Sequence, residues 1–154
     1  MNDGVSSVGA SAFRGCYKIT SVSLPNSLTS IGYDAFDGCS GITDITLPQN
    51  LSEIGGYAFG SVNFTSIEIP DSVTSIEQYT FANCKKLEQI TLSSNTLSIG
   101  EGAFNFCSSL TAIELPESII NIDRFAFWNC SSLDNVTLPS GITAITRSSI
   151  SRWA

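Results

Sequence analysis

The chain has 154 residues, 42% of them hydrophobic, with 14 acidic against 7 basic side chains, a net charge of −7 and no histidine. That charge repels phosphate backbones and anionic lipid surfaces, so nucleic-acid and membrane binding are not expected. No apolar run approaches the ~18 residues of a membrane span, and Met1 to Gly4 reads as neither signal nor transit peptide.

From residue 5 onward one pattern repeats. Its phenylalanine falls at Phe13, Phe36, Phe59, Phe81, Phe104 and Phe127, with Ile150 in the same phase, at spacings of 23, 23, 22, 23, 23 and 23. Proline keeps the beat at Pro25, Pro48, Pro70, Pro116 and Pro139, with Ser93 in its place once. Cysteine follows at Cys16, Cys39, Cys84, Cys107 and Cys130, with Val62 in the remaining slot. The repeats are cut at 5–27, 28–50, 51–72, 73–95, 96–118 and 119–141, leaving 142–154 as a partial turn. A period of this length with Leu or Ile at fixed positions marks a leucine-rich-repeat solenoid, and six copies exceed the roughly three such arrays need. No linker or composition shift divides the chain, so residues 1–154 are read as one solenoid domain, equivalent to part of a longer protein.

The expected class is an α/β repeat solenoid, with a parallel sheet on one face and short helical turns on the other. Within each repeat the run typified by Thr43 to Pro48 alternates polar and apolar, the period of a half-buried strand. Val22 and Leu24, Ile45 and Leu47, Ile67 and Ile69, Ile90 and Leu92, Ile113 and Leu115, and Val136 and Leu138 are expected to point inward. Strands about 4.8 Å apart then make a slab roughly 30 Å long. Proline, lacking an N–H, ends each strand. Leu28 and Ile31, like Val73 and Ile76, form a second inward edge. Tyr33 to Cys39 is expected to be a short helical turn with Ala35 and Phe36 plugging the interior. Gly15, Gly38, Asn83 and Asn129 suit a positive φ before the cysteine; Ser61 and Phe106 depart from that rule, and the short third repeat is expected to be irregular.

At the motif LPxSLTSIGxxAFxGCxxLTxIxLP the chain closely resembles the BspA-type leucine-rich repeats of large surface proteins of bacteria and protists, over residues 5–150. The resemblance implies a cell-surface or secreted location, adhesion or binding of host proteins, no cofactor and no catalytic residues.

The cysteines share one repeat position and are expected to form a buried column of free thiols, with one disulfide between adjacent turns as the alternative. Val62 in that column suggests that the slot asks only for a small apolar residue. Without histidine or a C-x-x-C pair a zinc site is not expected, and the usual general base is missing. Asp44, Glu68 and Glu114 could in principle serve carboxylate-only hydrolysis, but they sit on an open sheet, so no enzyme is expected. Gly55-Gly56 and Gly100-x-Gly102 precede no phosphate-loop or Rossmann unit. Sequons at Asn50, Asn63, Asn129 and Asn135 arise readily in so Ser/Thr-rich a chain.

Two surfaces are candidates for a protein or glycan partner. The outward strand positions, with Asp44, Thr46, Ser66, Glu68, Gln89, Thr91 and Glu114 foremost, form a polar, mildly acidic strip of the kind solenoids present to extended ligands. Phe106 and Trp128 occupy loop positions that are small or polar in other repeats, and exposed aromatics anchor interfaces. A non-enzymatic interaction or adhesion module is therefore expected. The alternative is a structural protein that stacks end to end into filaments or other homo-oligomers through Ile142, Ile145, Ile150 and Trp153.

Overall fold

The structure, a computed structural model, describes residues 3–146. Each repeat is one turn of a parallel β-coil, numbered 1 to 6 from residue 5. Its short strands are β1 (Ser7–Val8), β2 (Ser30–Ile31), β3 (Glu53–Ile54), β4 (Ser66–Glu68), β5 (Ser75–Ile76), β6 (Gln89–Thr91), β7 (Ser98–Ile99), β8 (Asn121–Ile122) and β9 (Ala144–Ile145). They pair in the orders β1-β2-β3, β4-β6 and β5-β7-β8-β9, every pair parallel and one turn apart.

The most regular ladder is thus not the I-x-L-P run but the Ser-Ile type pair one side further on. Its amides reach back to the preceding turn: Gly32 donates to Val8 O at 2.8 Å, Gly55 to Ile31 O at 2.8 Å and Gly100 to Ile76 O at 2.8 Å. At Gly32 the approach is close enough that a Cβ would lie 2.7 Å from the Ala10 backbone nitrogen, whereas Asp123 and Thr146 make the same bond to Ile99 O and Ile122 O at 2.9 and 3.2 Å. On the I-x-L-P side the expected side-chain alternation holds, with Ile45, Leu47, Ile67, Ile69, Ile90 and Ile113 buried. Among the described residues backbone pairing there is β4 with β6, a bond from Thr111 to Glu88 O at 3.4 Å and an isolated bridge between Ala112 and Asn135. Leu138 departs from the expected inward set, being 41% exposed.

Among the described residues there is no helix, which corrects the expected helical turns. Two residues of each turn, four apart, have positive φ: Ser11 and Gly15, Asp34 and Gly38, Tyr57 and Ser61, Tyr79 and Asn83, Gly102 and Phe106, Phe125 and Asn129. A left-handed residue breaks the right-handed helical path. The amides alternate instead. Ala35, Asp37 and Cys39 donate three residues back within the turn, to Gly32, Asp34 and Phe36, while Asp34, Phe36 and Gly38 donate to Gly56, Ala58 and Gly60 of the next turn at 2.8 to 3.0 Å. Half of this segment's amides thereby knit neighbouring turns, as a strand would. Ser61 and Phe106 adopt the same φ as their glycine and asparagine counterparts, so the departure lies in residue type and not in backbone shape.

The core is a column of parallel rings. Phe13, Phe36, Phe59, Phe81, Phe104 and Phe127 stack at successive centroid distances of 5.2, 5.7, 5.8, 5.6 and 5.4 Å with interplanar angles of at most 6°. Turn 3 lacks one residue between Asn63 and Phe64, in the phase of Gly41. Phe64 fills the shortened corner, edge-on to Phe59 and Phe81 at 6.0 and 6.2 Å. The irregularity expected there is seen in the pairing: turns 3 and 4 join through β4 and β6, while β3 and β5 do not pair. The shorter path along one side thus coincides with pairing on the I-x-L-P face and its loss on the Ser-Ile face.

The five cysteines are free thiols, four of them buried and Cys16 half-buried. Val62 fills the same slot fully buried, and cysteine adds a weak hydrogen bond there. Cys39, Cys84, Cys107 and Cys130 donate their Sγ–H to the carbonyls of Phe13, Phe59, Phe81 and Phe104 in the preceding turn at 3.0 to 3.1 Å. Burial pushes the Cys84 and Cys130 thiols up to about 12, and the Cys39 and Cys107 thiols rise for the same reason.

Candidate functional site

The inward isoleucines and leucines clamp each I-x-L-P run against the phenylalanine column, which forces its alternate residues outward. Proline then ends the run and turns the chain, carrying the next side chain to the rim. The result is a shallow trough. Asp44, Thr46 and Gln49 of turn 2, Ser66 and Glu68 of turn 3, and Gln89 and Thr91 of turn 4 line one stretch of it. It continues over turn 1, from Thr20 to Asn26, and over turn 5, past Ala112, Glu114 and Glu117.

Seven of the residues singled out from the sequence, Asp44, Thr46, Ser66, Glu68, Gln89, Thr91 and Glu114, therefore share one surface. Among the described residues the side chains of Asp44, Glu68 and Glu114 make no hydrogen bond or ion pair. The backbone beneath is open as well: among the described residues no backbone hydrogen bond joins 43–47 to 65–69. Gln49, Ser94 and Glu117 belong to the trough and were not singled out. Their signal is the polar residue after each proline position, in the phase of Asn26, Gln49, Asp71, Ser94 and Glu117.

Phe106 and Trp128 do not line the trough. They sit on the left-handed segments of turns 5 and 6, edge-to-face at 5.0 Å, with Phe125 6.1 Å from Trp128. Phe106 is 37% exposed and holds φ at +60°, a bulky residue in a region that disfavours it. A second aromatic group lies on the same segments of turns 2 to 4, where Tyr33 meets Tyr57 at 5.5 Å and Tyr57 stacks on Tyr79 at 4.8 Å. Tyr79 Oη donates to Glu101 Oε1 at 2.8 Å, and Arg124 holds the other oxygen of Glu101 at 2.9 Å. The guanidinium, with the tyrosine hydroxyl second, keeps the Glu101 carboxyl below its usual range. Arg14 lies 3.5 Å from Asp34 and 3.4 Å from Asp37, so the cations of these segments are taken up by carboxylates there.

Of the residues expected to mediate stacking, Ile142 is half-buried and Ile145, on β9, is 45% exposed. Ile150 and Trp153 lie outside the described residues. Among the described residues no group of three His, Cys, Asp or Glu side chains is placed to hold a metal, and no helix is long and apolar enough to cross a membrane.

Solved structures of similar chains come from several bacteria. A leucine-rich repeat protein from Bacteroides ovatus superposes with a TM-score of 0.90 at 33% identity over 92% of this chain and 37% of its own. The Treponema pallidum leucine rich repeat protein gives a TM-score of 0.57 at 33% identity, over 90% of this chain and 56% of its own. One from Bacteroides capillosus gives 0.50 at 28% identity, over 86% of this chain and 75% of its own. This chain thus spans little more than a third to about a half of the first two. A comparison with curated proteins gives no match. Six copies of the BspA type leucine rich repeat region match across residues 1–63 and 52–153, and the chain belongs to that family.

Proposed function

We propose that this chain is a non-catalytic interaction module of a cell-surface or secreted protein, acting in adhesion or in the capture of a protein or glycan along the trough. Residues 1–154 are read as one solenoid unit of it. The observation that carries the reading is the side-by-side placement of Asp44, Thr46, Ser66, Glu68, Gln89 and Thr91 in one open depression over a rigid ring column. A scaffold held by stacked rings offers its surface at little ordering cost to itself, which favours binding of extended partners. Phe106 and Trp128 are read as an accessory contact. Screening immobilised extracellular proteins and glycans tests the reading: a ligand that is retained by the native chain and lost with Glu68→Lys and Glu114→Lys supports it, and unchanged retention by both variants moves the site off the trough. Protease treatment of intact source cells tests the location, because a surface module is cleaved and an internal one is spared.

A second reading, end-to-end association, is favoured by the exposed Ile145 on β9. Sedimentation at rising concentration tests it, and a strictly monomeric chain retires it.

A further inference from the structure

The distribution of charge around the coil is lopsided. Asp44, Glu68, Glu114 and Glu117 line the trough, and no lysine or arginine does among the described residues. The acidic side chains of the left-handed segments, by contrast, have Arg14 or Arg124 beside them. Three trough carboxylates, Asp44, Glu68 and Glu114, are without a cation partner among the described residues. Unpaired carboxylates on turns 2, 3 and 5 set up a negative potential that a cationic partner relieves and an anionic one meets as repulsion.

A second feature is independent of charge. Beside the carboxylates, Thr46, Gln89 and Thr91 line the trough with neutral groups that both donate and accept. Such groups match the alternating N–H and C=O of an extended main chain. Five turns at ~4.8 Å cover about 20 Å, the length of roughly six extended residues.

We infer that the partner of the trough is an extended, positively charged protein segment, its main chain taken by the neutral polar groups and its lysine or arginine side chains by Asp44, Glu68 and Glu114. This rests on the interaction-module reading above and narrows it to one class of ligand.

The test is fluorescence anisotropy with labelled peptides of about eight residues, alternating Thr with Lys, Gln or Glu, and with a neutral oligosaccharide as a further probe. Two variants carry the same change in net charge. One neutralises the trough through Asp44→Asn, Glu68→Gln and Glu114→Gln. The other neutralises the Ser-Ile side through Glu53→Gln, Glu77→Gln and Asp123→Asn.

The Lys-Thr peptide is expected to bind the native chain, to weaken roughly tenfold in the trough variant and to be unaffected by the other. Equal weakening in both variants means diffuse attraction to an acidic protein and overturns the inference. Absence of Lys-Thr binding overturns it too. If the Gln-Thr peptide binds as tightly as Lys-Thr, and Thr46→Ala abolishes both, the interaction module stands while the cationic partner falls. Trough binding of the oligosaccharide alone likewise keeps the module and removes the cationic partner, with a glycan as occupant.

Discussion

A cysteine in this coil fills a slot and donates a weak hydrogen bond, and valine does only the first. Burial keeps the proton on sulfur at Cys39, Cys84, Cys107 and Cys130, so these thiols are poor nucleophiles in the native fold. In denaturant all five should react with a thiol reagent, and in native buffer Cys16, half-buried in turn 1, should react well ahead of the other four. Fewer than five reactive groups under denaturing, non-reducing conditions would revive a disulfide. The same burial predicts alkaline sensitivity. The folded thiols of Cys84 and Cys130 titrate at about 12 against an ordinary 9.0, so the fold binds protons that the unfolded chain releases. Their contribution is complete below pH 9.0 and is lost as pH rises toward about 12. Urea midpoints across that window should fall, and a Cys84→Val, Cys130→Val double variant should flatten the decline. Thr96 presents the opposite case. Its Oγ1 is buried without a partner in the phase where Leu28 and Leu51 sit, so Thr96→Val should stabilise by about 1 kcal/mol in urea unfolding.

At the scale of the element, the period was legible because Phe, Pro and Cys recur in phase, and with it the inward Ile and Leu of each turn. The seven trough residues were legible for the same reason, since alternation alone decides which side chains of a half-buried run face out. The left-handed pairs were legible only in part. Gly and Asn announce the positive φ before the cysteine, but at the first position of each pair it is held by Tyr57, Tyr79 and Phe125 in turns 3, 4 and 6. A bulky left-handed residue costs roughly 1 to 2 kcal/mol, and the inter-turn hydrogen bonds and ring contacts that outweigh it are tertiary. The helical turn was expected from local composition, whereas the segment's amides are satisfied one turn away. The trough rim escaped for a related reason: where Gln49 and Glu117 point depends on the turn after proline. Close approach between turns yields a paired prediction. On Gly55 a Cβ would lie 2.6 Å from the backbone nitrogen of Tyr33, which cannot give way, whereas on Gly9 it meets nothing within 4 Å. Gly55→Ala should cost more than about 2 kcal/mol and lower the thermal midpoint by several degrees. Gly9→Ala should be neutral or slightly stabilising.

For the whole molecule, contacts run only between adjacent turns, so the weakest junction governs how the stack opens. The junction between turns 3 and 4 lacks the Ser-Ile ladder. Amide exchange at Thr74 and Glu77 should therefore be faster than at Leu97 and Gly100, whose amides donate to Thr74 O and Ile76 O at 2.8 Å each. Equal protection at the four sites would mean that the missing pairing forms in solution. The two sides also differ in how their amides leave the turn. A parallel pairing such as the Ser-Ile ladder sends N–H groups both ways along the axis, so the peptide dipoles there sum to little. On the left-handed segments the amides that leave the turn point forward, as from Phe36 to Ala58 and from Phe81 to Ala103. That side alone adds its peptide dipoles in one sense along the stack, as an α-helix does along its axis.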